Sequence, residues 1–486
     1  MNDPSPVQFR EIPPVGDILS LPAIGSLIDQ RGRENVLAWV RTAVAEVRQR
    51  LSAGVFNGSG SRKELTELLL QSVRQQATDD SSRMLAGVIN ATGVILHTSL
   101  GRAPLSAAAI AAIARTAAAC NLEVELETGS RSYRGYQLQS AWQRLTGAET
   151  SLIVNNNAAA TVLALDALCR GKEVIISRGQ LIEIGGSFRL PDIFLQSGAI
   201  LREVGTTNRT HLADYEQAIG PNTAAILRVH PSNYRVVGFV EEPTIAELSP
   251  LAHQYGLACV DDIGSGCLVD TTRFGLPAEP TFQKSVAAGA DLVLGSGDKL
   301  LGGPQCGILL GHAAIIERLQ KHPLARAFRI DKLTLAALAA TLEVYLRGAA
   351  EQEIPTLALL AASSDDLLAR ACRIRDLTTR LHEERTKGGA ATDDADLKSE
   401  NCHLKIEVSI DEAPVGGGSL PGAVLPTAVV RVSHAHHSAD ELARRLRLGT
   451  PHLFGRIHEN VVLLDLRSVL PVDDEQIVAA LRADWP

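Results

Sequence analysis

The chain runs to 486 residues, more than one ordinary domain holds, and its 45% hydrophobic and 4% aromatic content suits two or three domains with aliphatic cores. A net charge of −8 gives no overall pull toward nucleic acid, although local basic patches can still bind it. No run approaches the roughly 20 apolar residues of a membrane helix, and seven scattered cysteines without a CxxC pair argue against a disulfide frame or a zinc site.

The first predicted element is an amphipathic helix between Glu34 and Leu51, with Val36, Leu37, Val40, Val44, Val47 and Leu51 on one face. Arg33, Arg41, Arg48 and Arg50 lie elsewhere on it or at its start. A Gly/Ser break, NGSGSRK at 57–63, precedes a second helical run, ELTELLLQSVRQQ. Residues 1–75 therefore form a small helical module with its own linker. It is mildly basic, with eight Lys/Arg against six Asp/Glu from 1 to 63. From charge alone those arginines read as a solvated helix face. The start, MNDPSPVQFREIPP, lacks the basic and apolar segments of a signal peptide, so a cytoplasmic location is expected.

From 76 to 345, short aliphatic strands alternate with helices. The strands are SLIV (151–154), EVIIS (173–177), AILREV (199–204), AAILRV (224–229), LACVD (257–261), DLVLG (291–295) and CGILLG (306–311). Helical runs such as AAATVLALDALC (158–169) lie between several of them. This pattern predicts a mainly parallel sheet covered by helices on both faces. In such sheets ligands collect at the carboxyl ends of the strands, so the residues following each strand matter most.

After SLIV come Asn155, Asn156 and Asn157, leading into an Ala-rich helix. Asparagine caps helix starts and small residues let a ligand approach the free N–H groups, an arrangement suited to a phosphate. After LACV come Asp261 and Asp262 and two glycines. A carboxylate at a buried strand end needs a cation or a donor, and a protonated pyridine nitrogen is one; a turn-capping aspartate is the plain alternative. After DLVLG comes Ser296-Gly-Asp298-Lys299 and then a Gly-Gly-Pro turn. A desolvated lysine has a lowered pKa and forms imines readily, while the Ser296 hydroxyl sits near enough to hold a phosphate. Ser-x-x-Lys is also a β-lactamase pattern, but its partner motifs are missing. Phosphate turn, strand-end aspartate and strand-end lysine, in that order, are what an aspartate-aminotransferase type of fold requires to hold pyridoxal 5'-phosphate.

Residues 346–486 open with a long helical stretch and a polar segment, TKGGAATDDADLKSEN (386–401), predicted as a loop. Strands HLKIEVSI, TAVVRVS and NVVLLDLR follow, with helices SADELARRLR and DDEQIVAALR, which together make an α+β end domain. The SHAHHS run at 433–438 has no carboxylate or cysteine placed with it, so no metal site is expected.

Over nearly its whole length the sequence resembles the bacterial selenocysteine synthase family, the L-seryl-tRNA(Sec) selenium transferases. The stretches that carry the resemblance include INATGVILHTSLGRAPLS (89–106), VNNNAAA (154–160), REVGTTNRT (202–210), GSGDKLLGGPQCG (295–307), HPLARAFRIDKLT (322–334) and VGGGSLP (415–421). The resemblance implies that Lys299 carries pyridoxal phosphate as a Schiff base, that Asp262 holds its ring nitrogen, and that Asn155–Asn157 are part of its cradle. It implies that Asp298 acts in the chemical steps and that Arg102, Arg326 and Arg329 hold the phosphate-like selenium donor, as guanidinium groups suit. The implied reaction passes from seryl-tRNA(Sec) through an aldimine and an aminoacrylyl intermediate, to which selenium from selenophosphate adds. Family members assemble as homo-oligomeric rings of dimers with sites shared across dimer interfaces, and their N-terminal domain recognises the tRNA. One departure stands out: Gly129-Ser-Arg131-Ser132-Tyr133-Arg134 replaces a Gly-x-Arg-Gly-Ser-Arg stretch.

Two other functions remain to be weighed. A small-molecule lyase of the same fold would lack the N-terminal module. A non-catalytic tRNA-binding protein would not need Asp262, Lys299 and the phosphate turn together.

Overall fold

Helices form near the N-terminus because apolar side chains recur there at helical spacing, and they persist because that stripe is buried against other helices. The computed structural model of the protein describes residues 9–53, 56, 60–82, 85–185, 188–388 and 404–482. It divides into two units, residues 1–87 and 88–486. In the first, helices Val15–Leu19, Pro22–Arg31, Arg33–Ser52 and Arg62–Ser82 follow one another. Val36, Val40, Val44, Val47 and Leu51 are buried against Leu65, Leu69 and Val73, while Leu37 is only half-buried. Each such side chain contributes about 1.5–3 kcal/mol when fully buried. Gly32, at φ +83, breaks the chain between the second and third helices, a conformation that L side chains rarely adopt.

Among its described residues the second unit holds fourteen strands: β1 (Val88–Ala91), β2 (Thr150–Val154), β3 (Glu173–Ser177), β4 (Glu183–Ile184), β5 (Phe188–Arg189), β6 (Ile200–Val204), β7 (Thr223–Val229), β8 (Ala258–Gly264), β9 (Leu292–Ser296), β10 (Gly307–Gly311), β11 (Leu404–Pro414), β12 (Val424–His434), β13 (His452–His458) and β14 (Val461–Asp465). Seven of them form one sheet in the order β2-β10-β9-β8-β7-β3-β6. The predicted aliphatic runs are these strands, and the sheet is parallel except at β10, which runs against both β2 and β9. The reason for the exception is length. Only residues 297–306 join β9 to β10, too few for the crossover that a parallel neighbour needs. Helix Asn157–Cys169 lies on the sheet and buries Ala160, Leu163, Ala164 and Leu165.

The second sheet has five strands in the order β1-β13-β14-β12-β11. Its first strand departs from the linear division at residue 345. Val88–Ala91 lies within the segment assigned to the large domain, yet it pairs in parallel with β13. Nothing local in VINA marks its partner, which tertiary pairing decides. Strand β13 was absent from the predicted elements because its Gly455, His452 and His458 dilute the apolar signal. The polar segment 386–401 lies outside the described residues apart from the end of helix Ser364–Gly388. No described helix is long and apolar enough to cross a membrane.

Candidate active site

The chain leaves β9 into a tight turn that carries Asp298 and Lys299. Gly297 donates to Cys306 O at 2.9 Å, Gly303 to Gly297 O at 2.9 Å, and Leu300 to Ser265 O at 3.1 Å, so the turn is fixed on three sides. Lys299 is 4% exposed. It lines a cavity of about 250 Å³ with Arg102, Asn156, Asn157, Asp262, Ser296 and Asp298. Burial pushes its amine below the ordinary lysine value and the Arg102 cation adds to this, while the Asp298 and Asp262 carboxylates pull it back.

Along β8 successive side chains face opposite sides of the sheet. Asp261 consequently pairs with Arg228 at 3.1 Å, while Asp262 faces the cavity. Asp262 Oδ1 accepts from Asn157 Nδ2 at 2.9 Å and from Gly264 N at 3.0 Å, and its Oδ2 accepts from Thr161 Oγ1 at 3.2 Å. Burial nevertheless holds its carboxyl above the ordinary aspartate value, against the pull of those donors and of Lys299. A group in that state is stabilised by a cationic partner.

Arg102 sits at φ +60, a strained backbone for a non-glycine residue, and its Nη1 lies 2.8 Å from Asp298 Oδ2. The main chain reinforces the pair through Ala103 N to Asp298 O at 3.2 Å. Asp298 Oδ1 and Arg102 Nε are buried and have no partner, so the pair has hydrogen-bonding capacity left for a ligand.

The asparagine turn is split in its roles. Asn156 caps helix Asn157–Cys169 by accepting from Ala159 N at 2.8 Å, and Asn157 reaches Asp262. Asn155 is exposed, outside the cavity lining, with its N–H donating to Phe328 O at 3.1 Å. The arginines are split as well. Within one chain Arg326 and Arg329 do not join Arg102, but line a different cavity of about 490 Å³ with Arg131, Ser132, Tyr133 and Arg134. Glu123 crosses that cavity. It accepts from Arg134 Nε at 2.7 Å and from Arg131 Nη2 at 3.1 Å, and lies 3.5 Å from Arg329 Nη1. The Arg134 hydrogen bond is the main reason its carboxyl sits below the usual glutamate value. The Ser132-Tyr133 departure therefore falls in the wall of an arginine-lined pocket.

Sequence reasoning missed two polar residues that line the Lys299 cavity and the role of one loop that approaches the lysine. His230 and Ser232 follow β7, and the rule of reading each strand's carboxyl end would have found them. Ser232 Oγ is buried without a partner. The loop is 415–421, outside the cavity lining but held near Lys299 by a bridge between Gly416 and Leu96. Its glycines gave no chemical signal in the sequence. Among the described residues no three His, Cys, Asp or Glu side chains are grouped to hold a metal ion.

The sequence profile described as L-seryl-tRNA selenium transferase matches residues 88–470, and one described as selenocysteine synthase N terminal matches residues 9–48. An L-seryl-tRNA(Sec) selenium transferase of Geobacter sulfurreducens is 43% identical over 477 residues, covering 98% of each chain. That of Nitratidesulfovibrio vulgaris is 47% identical over 421 residues, covering 86% of this chain and 85% of its own. Among solved structures, D-glucosaminate-6-phosphate ammonia-lyase superposes with a TM-score of 0.56 at 23% identity, covering 84% of this chain and 97% of its own. That likeness is one of fold.

Proposed function

The chain belongs to the L-seryl-tRNA selenium transferase family, and from that membership we propose that it converts L-seryl-tRNA(Sec) to L-selenocysteinyl-tRNA(Sec) with selenophosphate as donor. The observation that carries this reading is the burial of Lys299 in one cavity with Asp262 and the Arg102–Asp298 pair.

The residues of that cavity fit pyridoxal 5'-phosphate. A glycine stands where any side chain would crowd the lysine amine, Asp262 is a buried carboxylate seeking a cation, and Asn156 caps a helix start suited to a phosphate. Lys299 would hold the aldehyde, Asp262 the ring nitrogen, and Asn156, Asn157 and Ser296 the remainder. When bound, the cofactor supplies an aldehyde for the serine amine and a ring that takes up the electron pair released at the α-carbon.

The protein's own groups do the rest. The lowered pKa of Lys299 leaves more of its amine neutral, the form that takes a proton from the α-carbon. Asp298, oriented by Arg102, has one carboxylate oxygen unpartnered, ready to hold the substrate or a proton on the departing hydroxyl. Arg326 and Arg329 serve the selenium donor. Because one chain keeps them in a different cavity from Arg102, a site shared between two copies in a ring of dimers best accounts for all three arginines acting together. We place the protein in the cytoplasm, with residues 1–87 as the tRNA-recognising unit.

A lyase acting on small molecules shares the fold, but at 23% identity, against 43% over 98% of the chain for the transferase. The test is direct. Purified protein loaded with pyridoxal phosphate should form selenocysteinyl-tRNA from seryl-tRNA(Sec) and selenophosphate. Turnover of free serine or amino sugar acids, with none of the charged tRNA, would transfer the case to the lyase.

A further inference from the structure

The cavity of about 490 Å³ gathers the guanidinium groups of Arg131, Arg134, Arg326 and Arg329, and Glu123 is the one carboxylate among its described lining residues. The other cations at its wall are engaged outside it. Lys321 pairs with Glu317 at 2.6 Å, and His322 Nε2 lies 3.6 Å from Asp166. Arg326 makes no ion pair among the described residues. Guanidiniums gathered in this way repel one another and suit an anion with several acceptor oxygens.

Glu123 sits where such an anion would. Its Oε1 accepts from Arg134 Nε at 2.7 Å and lies 3.5 Å from Arg329 Nη1, while its Oε2 accepts from Arg131 Nη2 at 3.1 Å. The Arg134 hydrogen bond holds the carboxyl below the usual glutamate value, so the group is an anion at neutral pH. The arginines do not depend on it for their place. Arg131 is bridged to Val124, Ser132 N donates to Glu123 O at 2.9 Å, and Glu125 N donates to Ser130 O at 3.0 Å, so the backbone closes this hairpin by itself. Arg134 Nη1 also donates to Ile330 O at 2.7 Å, and the Arg329 backbone is bridged to Val154 at the end of β2. The carboxylate is thus added to a site that the main chain already fixes.

We propose that Glu123 is an internal counter-anion of the donor site, which competes with the phosphate group of the selenium donor for Arg131, Arg134 and Arg329 and keeps the spent phosphate from lingering there. The inference rests on the reading of Arg326 and Arg329 as donor residues and deepens it. Once selenium has gone to carbon and a water oxygen has taken its place on phosphorus, the donor leaves as inorganic phosphate. Four uncompensated guanidiniums would grip that product as firmly as the donor, because the two share their phosphate oxygens. Such grip on donor and product alike adds nothing to the rate of the transfer itself. A carboxylate tethered in the pocket competes at an effective concentration of about millimolar or more, and it returns to the arginines as the phosphate departs.

Inorganic phosphate is the probe, titrated by calorimetry into full-length, assembled, cofactor-loaded protein. Glu123→Gln removes the charge and keeps the shape. It should bind phosphate about tenfold or more tightly, as expected when a like charge a few ångströms away is removed. Glu123→Asp keeps the charge and should stay near wild type. In turnover, Glu123→Gln should lower KM for selenophosphate and strengthen inhibition by phosphate by similar factors. Phosphate binding that is unchanged or weaker in Glu123→Gln overturns the proposal and leaves Glu123 a structural tie between arginines. Arg326→Ala should lose most phosphate binding whether Glu123 is present or replaced. Phosphate held equally well without Arg326 overturns the donor-site reading together with the proposal.

Discussion

Gly418 approaches Lys299 so closely that a methyl group built on its α-carbon would lie 2.7 Å from the lysine Nζ. Its φ of +85 adds to the constraint, since an L side chain rarely adopts that backbone. Gly418→Ala should therefore push the amine or the 415–421 loop out of place. Displacements of this size at a reacting centre cost on the order of a hundredfold in rate. The expected result is a folded protein that is yellow only weakly, takes up less borohydride-fixed cofactor on Lys299, and transfers selenium at about a hundredth of the normal rate.

The depressed pKa of Lys299 makes a prediction about stability. Its folded value lies below the unfolded 10.5, so between the two the unfolded chain binds more protons and stability rises with pH. In cofactor-free protein, wild type should gain stability relative to Lys299→Met as pH is raised from neutral toward ten. Melting temperatures of the two proteins across that range measure it, and parallel curves would contradict it.

Asp262 behaves in the opposite sense. Its folded pKa is raised above 3.8, so the cofactor-free protein loses stability as pH rises through the interval above that value. Asp262→Asn removes that loss and keeps an oxygen for Asn157 and Gly264 to donate to. The variant should fold at least as well as wild type without cofactor, yet turn over about a hundredfold or more slowly. Thermal melts without cofactor and single-turnover rates with it separate the two effects.

Arg102 and Arg326 should fail differently. Both Arg→Ala variants are expected to remain yellow and to lose selenium transfer. Arg102 also lowers the Lys299 pKa from within its own cavity, so Arg102→Ala should move the pH profile of imine formation upward. Arg326 lines the other cavity, and Arg326→Ala should leave that profile where it was. Spectrophotometric titration of cofactor loading distinguishes them.

Deleting residues 1–87 should leave unit 88–486 folded and cofactor-loaded, since each unit has its own core. The core alone should bind tRNA(Sec) much more weakly and with a shallower salt dependence, because fewer phosphates are neutralised. Undiminished binding after the deletion would remove this unit from recognition.

The central strands of the large sheet were legible because their side chains are buried on both faces, as in β8, β9 and β10, whereas the edge strand β6 is largely exposed. Lys299 and Asp262 were legible because a buried charge at a strand end is chemically conspicuous. The motif stretches also named Arg326 and Arg329 through resemblance, but no local pattern could tell that they would face Glu123 and Arg134 instead of Arg102. Asn155 stands exposed outside the Lys299 cavity lining for a smaller reason. A turn alternates the directions of its side chains, so three consecutive asparagines cannot all face one ligand. Gly418 was marked only through the resemblance of the VGGGSLP stretch, because what it contributes is the absence of atoms.

The pairing of β1 with β13 makes the five-stranded sheet a structure whose first piece is synthesised long before its last. At ribosomal speeds, β1 waits on the order of tens of seconds for its neighbour. The seven-stranded sheet is complete at Gly311, so it can collapse first and would carry Lys299 in an unfinished pocket. Gly418 arrives more than a hundred residues after Lys299, and β12, which closes the hairpin around its loop, comes later still. During translation Lys299 therefore stands in a completed large sheet before the glycine that packs against its amine has been made.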